Sequence, residues 1–373
     1  MIKNEAAMAA SAKTADRQAV RDKILACLTA GAMGDALGYV VEFDSWKAIQ
    51  KRYGENGIME LKPTGEKAII SDDTQMTLFT AEGLGYGFFR SAERGTGAEA
   101  EYYIYQSYPC WYETQGGRAK SIWDPVSELM KYPEMNKRRA PGNTCLQALG
   151  SGKMGTIEEP INNSKGCGGV MRTAPLGFLR VKWSGKPTFG PAIETGARAA
   201  AVTHGHPLGW IPAGMLSDIV DRCLYGNYDS LQDIVEDSLE AAKERFGDYG
   251  GFGGYESMIR KAVSLAEKNR SEGPYRAETD EAAIRAIGEG WVGDEALAVA
   301  IYAALRWDHD MKNCLRAAVN HSGDSDSTGA IAGNILGAWL GPDAVPQDWL
   351  ERLELTEAMK DIAEMMKRAI ELY

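Results

Sequence analysis

An all-α fold of many helices is the class this sequence predicts, on three observations. Apolar residues recur at helical spacing in most of the periodic segments. No alternation of short apolar runs with amphipathic helices marks a βαβ unit. Two clusters of Ser, Asp and Thr, of the kind that start helices, stand directly before apolar runs. With 373 residues, 44% hydrophobic and 25% charged, the chain can bury a large globular core. A net charge of −11 argues against nucleic acid as a general partner. Lys137-Arg138-Arg139 reads as a solvated loop. No apolar run reaches the roughly 18 residues that cross a membrane. No positively flanked apolar stretch opens the chain, so a cytoplasmic location is expected. Cys27, Cys110, Cys145, Cys167, Cys223 and Cys314 are scattered without a CxxC pair, and there are only four histidines. That pattern predicts reduced thiols and neither a disulfide framework nor a zinc site.

Residues 1–16 are rich in Ala, Ser and Lys without clear periodicity, and are expected to form a flexible N-terminal arm ahead of one domain over 17–373. A helix is expected from about Asp16 or Arg17, on Val20, Ile24, Leu25 and Leu28. It runs into Gly31-Ala32-Met33-Gly34-Asp35-Ala36-Leu37-Gly38. A buried Asp35 in so apolar a stretch must be paired: it either caps the next segment or supports a site from behind, the structural role being favoured. Glu42 lies in Tyr39-Val40-Val41-Glu42-Phe43, a strand-like stretch. It is either a surface residue or a partly desolvated carboxylate able to act as acid or base.

Ile70-Ser71-Asp72-Asp73-Thr74 then opens a helix carrying Met76, Leu78, Phe79 and Leu84. Residues 86–160 read as irregular helices and loops with an aromatic patch from Tyr102 to Tyr112. Asn162 to Pro175 contains a Gly-rich turn whose N–H groups could cradle phosphate oxygens. Cys167 within it has no base at a diagnostic spacing for nucleophilic catalysis. Thr203-His204 closes a helix over Ile193–Val202. Gly288-x-Gly290-x-x-Gly293 imitates a dinucleotide fingerprint but follows a helical pattern, so it is rejected. A clean helix is expected over Asp294–Leu305, and an amphipathic closing helix over Leu350–Ile370.

The most telling stretch is Asn320-His321-Ser322-Gly323-Asp324-Ser325-Asp326-Ser327-Thr328-Gly329, ahead of a Gly/Ala-rich apolar run. It is no EF-hand, because the twelfth position from Asp324 is Ile335 where a bidentate Glu is required. It does repeat the Ser-Asp-Asp-Thr design seen earlier. Together the two clusters offer six oxygen ligands, enough for two hard cations sharing bridging carboxylates.

Taken in order, these motifs resemble the ADP-ribosylglycohydrolase family, which includes dinitrogen-reductase-activating glycohydrolases and ADP-ribosylarginine hydrolases. The resemblance runs from about Ala26 to Leu340. It rests on Gly34-Asp35-Ala36-Leu37-Gly38 with Glu42, Ser71-Asp72-Asp73-Thr74, Gly166-x-Gly168-Gly169-x-Met171-Arg172, Thr203-His204, and Gly323-Asp324-x-Asp326-Ser327-x-Gly329. It implies a single-domain orthogonal bundle holding two Mg²⁺ or Mn²⁺ ions on Ser71, Asp72, Asp73, Asp324, Asp326 and Ser327. It implies catalytic roles for Glu42 and Asp73, and substrate contacts from Ser164, Gly166, Gly168, Gly169 and His204. The family often has Thr at the Ser71 and Ser327 positions and Asn at the Cys167 position. The implied reaction is hydrolysis of the N-glycosidic bond that joins ADP-ribose to a protein side chain, arginine being favoured. Two other readings are an immunity-type protein whose arm blocks an ADP-ribosylating toxin, and a metal-dependent phosphohydrolase.

Overall fold

The computed structural model describes residues 2–95, 97, 99–118, 127–180, 182–183, 186–187, 189–270 and 273–372; the side chains of 2–15, 182–183 and 186–187 lie outside that description. The helices are α1 Ile2–Gly38, α2 Trp46–Tyr53, α3 Asp72–Arg94, α4 Ala100–Thr114, α5 Asn143–Gly150, α6 Ala192–Ala201, α7 Pro207–Tyr225 and α8 Leu231–Phe246. They continue with α9 Phe252–Arg270, α10 Ala277–Ile287, α11 Gly293–Arg306, α12 Met311–Val319, α13 Ser325–Leu340, α14 Gln347–Leu350 and α15 Thr356–Glu371. Apart from a two-residue antiparallel ladder, Lys182–Trp183 with Lys186–Pro187, the described architecture is helical, as the sequence predicts.

The centre of the bundle is the antiparallel pair α1 and α13. Both helices present glycines to each other. A Cβ at Gly34 would overlap the Gly329 carbonyl, and one at Gly333 would overlap the Ala30 carbonyl. Only residues without a side chain permit this backbone approach. Asn334 adds a cross-link, its Nδ2 donating to the Cys27 carbonyl at 2.9 Å. The flank of α13 that faces elsewhere packs on α11 and α12, whose apolar residues Ala296–Leu305 and Cys314–Val319 are buried.

Several local expectations are corrected. The stretch around Glu42 is a turn that continues from the end of α1: the Tyr39 N–H bonds the Asp35 carbonyl, and the Val41 and Glu42 N–H groups both bond the Gly38 carbonyl. Residues 86–114 are mostly regular helix, with Pro109 accommodated inside α4. The closing helix starts at Thr356 rather than Leu350, because residues 351–355 turn and Leu355 sits at φ +61°. The first helix runs from Ile2, so its backbone has no break near residue 16.

Gly333→Val should destabilise the protein by about 3 kcal/mol or more through overpacking of the α1–α13 seam. Gly254→Ala, at an exposed site of α9 with nothing within 4 Å of the new methyl, should add up to about 1 kcal/mol. Urea unfolding midpoints measure both.

Candidate active site

Three helix ends meet at one place: the C-terminus of α1 and the N-termini of α3 and α13. Asp35, fully buried on α1, ties the first two together. Its Oδ1 accepts from the Ser71 N–H at 2.9 Å, and its Oδ2 from the Thr74 N–H at 3.1 Å and from the Thr74 hydroxyl. These N–H groups are among those a helix start leaves without internal partners. The capping role expected of Asp35 is thus borne out, and it fixes the neighbouring Asp72 and Asp73.

At the start of α3, Ser71 Oγ accepts from the Asp73 N–H at 3.2 Å, and Asp72 Oδ2 accepts from the Gly142 N–H at 3.1 Å. At the start of α13, Asp324 is the cap, with Oδ1 accepting from the Ser327 N–H at 3.3 Å, and Asp326 Oδ1 accepts from the same N–H at 3.0 Å. Carboxylate oxygens of Glu42, Asp324 and Asp326 all lie within 4.8 Å of one another. Ser71 reaches across to Asp326, so the two acidic stretches form one cluster. Asp73 Oδ2 is buried with no hydrogen-bond partner.

The electrostatics of this cluster are strained. Burial first, then the charges of Asp326, Asp324 and Asp72, push Glu42 up to about 10. Burial and Asp326 push Asp35 up to about 7. Asp72, Asp73, Asp324 and Asp326 are all raised, burial being the largest cause for each. The charges acting most strongly on Asp73 are all negative. Nearby cations are engaged elsewhere: Arg139 pairs with Glu354 at 2.9 Å, and Arg172 donates to Thr203 Oγ1 at 2.6 Å. Buried carboxylates without counter-charge are costly. An unpartnered oxygen amid converging hard donors fits Mg²⁺ or Mn²⁺. Ser71, Asp72, Asp73, Asp324, Asp326 and Ser327 could hold such ions, with Glu42 at the half-buried edge.

The Gly-rich turn lies alongside. Cys167–Gly169 is a short 3₁₀ turn, and His204 lies under it: a Cβ at Gly168 would come within 3.2 Å of His204 Cε1. Ser164 Oγ accepts from the Gly166 N–H at 3.3 Å and shares a hydrogen bond with Thr144 Oγ1 at 3.0 Å. His204 is buried and pushed down to about 3, by burial and then by Arg172, so its ring is neutral. Arg172 donates to the Thr203 hydroxyl, which in turn lies 2.8 Å from His204 Nδ1. That chain leaves Thr203 as donor to Nδ1 and assigns the ring proton to Nε2, on the side of Gly166 and Gly168. Arg172 is thus a support that its position in the motif, without neighbours in sequence, did not reveal.

The Gly288–Gly293 loop, between α10 and α11, braces the site. The Glu289 carbonyl accepts from the Asp324 N–H at 2.9 Å, and Gly290 at φ +83° packs against Thr328 and Asp324. Trp291 offers its carbonyl to the Cys167 N–H at 3.3 Å, and its ring stacks on Phe43 with centroids 5.2 Å apart. Phe43 is 73% exposed and held at φ +67°, directly after Glu42. The sequence signal for Trp291 is an aromatic residue inside a Gly-rich turn. Cys167 joins the two halves: its thiol donates to Asp324 Oδ2 at 2.7 Å.

The family model described as ADP-ribosylglycohydrolase matches residues 16–373. The ADP-ribosyl-[dinitrogen reductase] glycohydrolase of Rhodospirillum rubrum is 26% identical over 347 residues, covering 90% of this chain and 92% of that protein. ADP-ribosylhydrolase ARH3 of Homo sapiens is 24% identical over 307 residues, covering 73% of this chain and 80% of that protein. A solved structure described as an ADP-ribosylglycohydrolase-related protein complex has the same fold, with a TM-score of 0.58 and 23% identity over 94% of this chain and 99% of its own.

The raised carboxyls make a pH prediction for the metal-free protein. In the folded state they keep protons that the unfolded chain releases from about pH 4 upward. The folded state then binds more protons, and stability falls as pH rises through the range of Asp35, about 7, and Glu42, about 10. In EDTA the melting temperature should be lower near pH 8 than near pH 5.5, and saturating Mg²⁺ or Mn²⁺ should flatten that slope. A flat or rising metal-free profile by differential scanning fluorimetry would contradict the strained cluster.

Proposed function

Since the chain belongs to the ADP-ribosylglycohydrolase family, whose members hydrolyse ADP-ribose linkages, we propose that it removes ADP-ribose from arginine side chains of a modified protein, with two Mg²⁺ or Mn²⁺ ions. The observation that carries the metal-dependent reading is the buried, unpartnered Asp73 Oδ2 within the carboxylate cluster. When bound, the ions supply charge neutralisation, orientation of the ribose hydroxyls and a more acidic water.

The chain's own residues divide the remaining work. The Gly166 and Cys167 N–H groups are held by Ser164 Oγ and the Trp291 carbonyl, so the N–H groups of Gly168 and Gly169 and the Nε2–H of neutral His204 are the fixed donors for the diphosphate. Glu42 is the one carboxylate of its cluster with Asp324 and Asp326 that is not fully buried. Once bound cations offset the negative charges that keep it protonated, it is placed to take a proton from the attacking water, with Asp73 as the other base. The anomeric C–N bond then opens through an oxocarbenium-like state. A guanidinium is already charged at neutral pH, so it leaves with little acid assistance. The exposed faces of Phe43 and Trp291 beside the acidic cluster suit a planar cation, which supports arginine as the acceptor.

The reading also allows that the N-terminal arm binds an ADP-ribosylating toxin. What supports it is that α1 starts at Ile2 whereas the family match starts at residue 16. Removing residues 1–16 should leave hydrolysis intact and abolish toxin inhibition by binding.

ADP-ribosyl-arginine should release free ADP-ribose with Mg²⁺ or Mn²⁺, and should not do so in EDTA or with Asp324→Ala. Release of phosphate would instead indicate a phosphohydrolase. Turnover only of serine-linked or nucleic-acid-linked substrates would overturn the arginine assignment. Glu42→Gln should lower kcat by about 10² to 10⁴-fold, the scale of general acid–base catalysis. Phe43→Ala should raise KM about fivefold at similar kcat, the loss of a cation–π contact of about 1 kcal/mol. Steady-state kinetics separate the two.

A further inference from the structure

The reading above counts oxygen ligands only, yet a sulfur atom projects into the same cluster. Cys167 Sγ lies 2.7 Å from Asp324 Oδ2. Its backbone is held on both sides, the N–H by the Trp291 carbonyl at 3.3 Å and the carbonyl by the Val170 N–H at 2.7 Å. The side chain is therefore aimed at the metal-ligand set by a fixed turn. An independent observation also points to a ligand there: Asp73 Oδ2, on a residue 3% exposed, has no partner.

We infer that Cys167 is a sulfur ligand of the proposed metal centre and shifts its preference from Mg²⁺ toward Mn²⁺ and softer divalent ions. This rests on the metal-dependent reading of the site. Hard carboxylates alone suit Mg²⁺ and Mn²⁺ alike; a thiolate adds affinity for the later, softer ions of the first row and very little for Mg²⁺. The metal–sulfur bond forms from a sulfur lone pair. The S–H bond breaks as the ion's charge displaces the proton, which leaves to solvent. No oxidant or reductant is needed. Cys27, Cys110, Cys223 and Cys314 are buried elsewhere, and Cys145, which borders the Gly-rich turn at Gly168, is taken up by Arg172 Nη1 at 3.1 Å.

The test uses the full chain stripped with EDTA and titrated with Co²⁺, alongside Cys167→Ser and Cys167→Ala. Cys167→Ser retains the size and a hydrogen-bond donor, so it keeps the fold if Cys167→Ala does not. The wild-type protein should show a sulfur-to-cobalt charge-transfer band in the near ultraviolet that saturates with Co²⁺ and is missing in both variants. In the variants the Kd ratio of Mg²⁺ to Mn²⁺, measured by calorimetry, should fall by roughly tenfold or more, the scale on which partners of a metal site act. Cobalt d–d bands without a charge-transfer band would overturn the inference and leave an oxygen-only centre standing. Persistence of the band in Cys167→Ser would overturn it too. Failure to bind Co²⁺, Mg²⁺ or Mn²⁺ at all would remove the metal centre and this inference together.

Discussion

The close contact of α1 with α13 is the constraint on which the rest of the structure depends. Glycines at 34 and 38 on one helix, and at 329, 333 and 337 on the other, let backbone meet backbone. Each glycine inside a helix costs about 1 kcal/mol of propensity. The cost is offset by the burial of both helices, since Ile24, Cys27, Met33, Ile331, Ile335 and Leu336 are fully covered. What the contact achieves is placement. Antiparallel packing at this distance puts the end of α1, with Asp35 and Glu42, against the start of α13, with Asp324 and Asp326.

Support then passes outward through specific bonds. Asp35 holds the start of α3, and the Arg139 carbonyl accepts from the Asp72 N–H at 2.9 Å. Arg139 is itself anchored on Glu354, whose Oε1 also accepts from the Ile70 N–H at 3.0 Å. A residue just ahead of α15 thereby holds the segment that carries Ser71 to Asp73. On the other side, Arg172, Thr203 and His204 form a buried chain beneath the Gly-rich turn. The acidic donors stand on helix starts and the neutral donors on turns, each fixed from behind.

Much of this was legible in the sequence. A Ser or Asp ahead of an apolar run says helix start by itself, so Ser71 and Asp324 as caps were readable, as were α6 and α11. The helical class followed from periodicity. What escaped depends on residues distant in the chain. Glu42 looked strand-like because Val40, Val41 and Phe43 are β-formers, but its backbone N–H is claimed by Gly38 at the end of α1. The Gly288–Gly293 letters carried no positive message, because their function is to accommodate Asp324 and Thr328 from a different helix. The break at Leu355 was hidden by continuous apolar spacing, since a single left-handed residue leaves no mark on a hydrophobic pattern.

The chain is strongly acidic, while ADP-ribose carries a diphosphate, so a favourable field must be built locally. Under the proposed function, that field would come from uncharged parts. His204 is too hard to protonate to serve as a cation or as an acid near neutral pH, and Arg172 is screened behind it by burial and by Thr203. The diphosphate would therefore meet N–H dipoles fixed in the turn, which do not change with pH. Titratable chemistry is confined to the carboxylate end. There the fold places like charges together without a protein cation to balance them, a strain that binding of divalent ions to the folded state alone would relieve and convert into stability. The same carboxylates that weaken the metal-free protein are the ones that would make it selective for an ion. Under the proposed function, binding and bond cleavage would then fall to separate sets of groups, joined at Cys167.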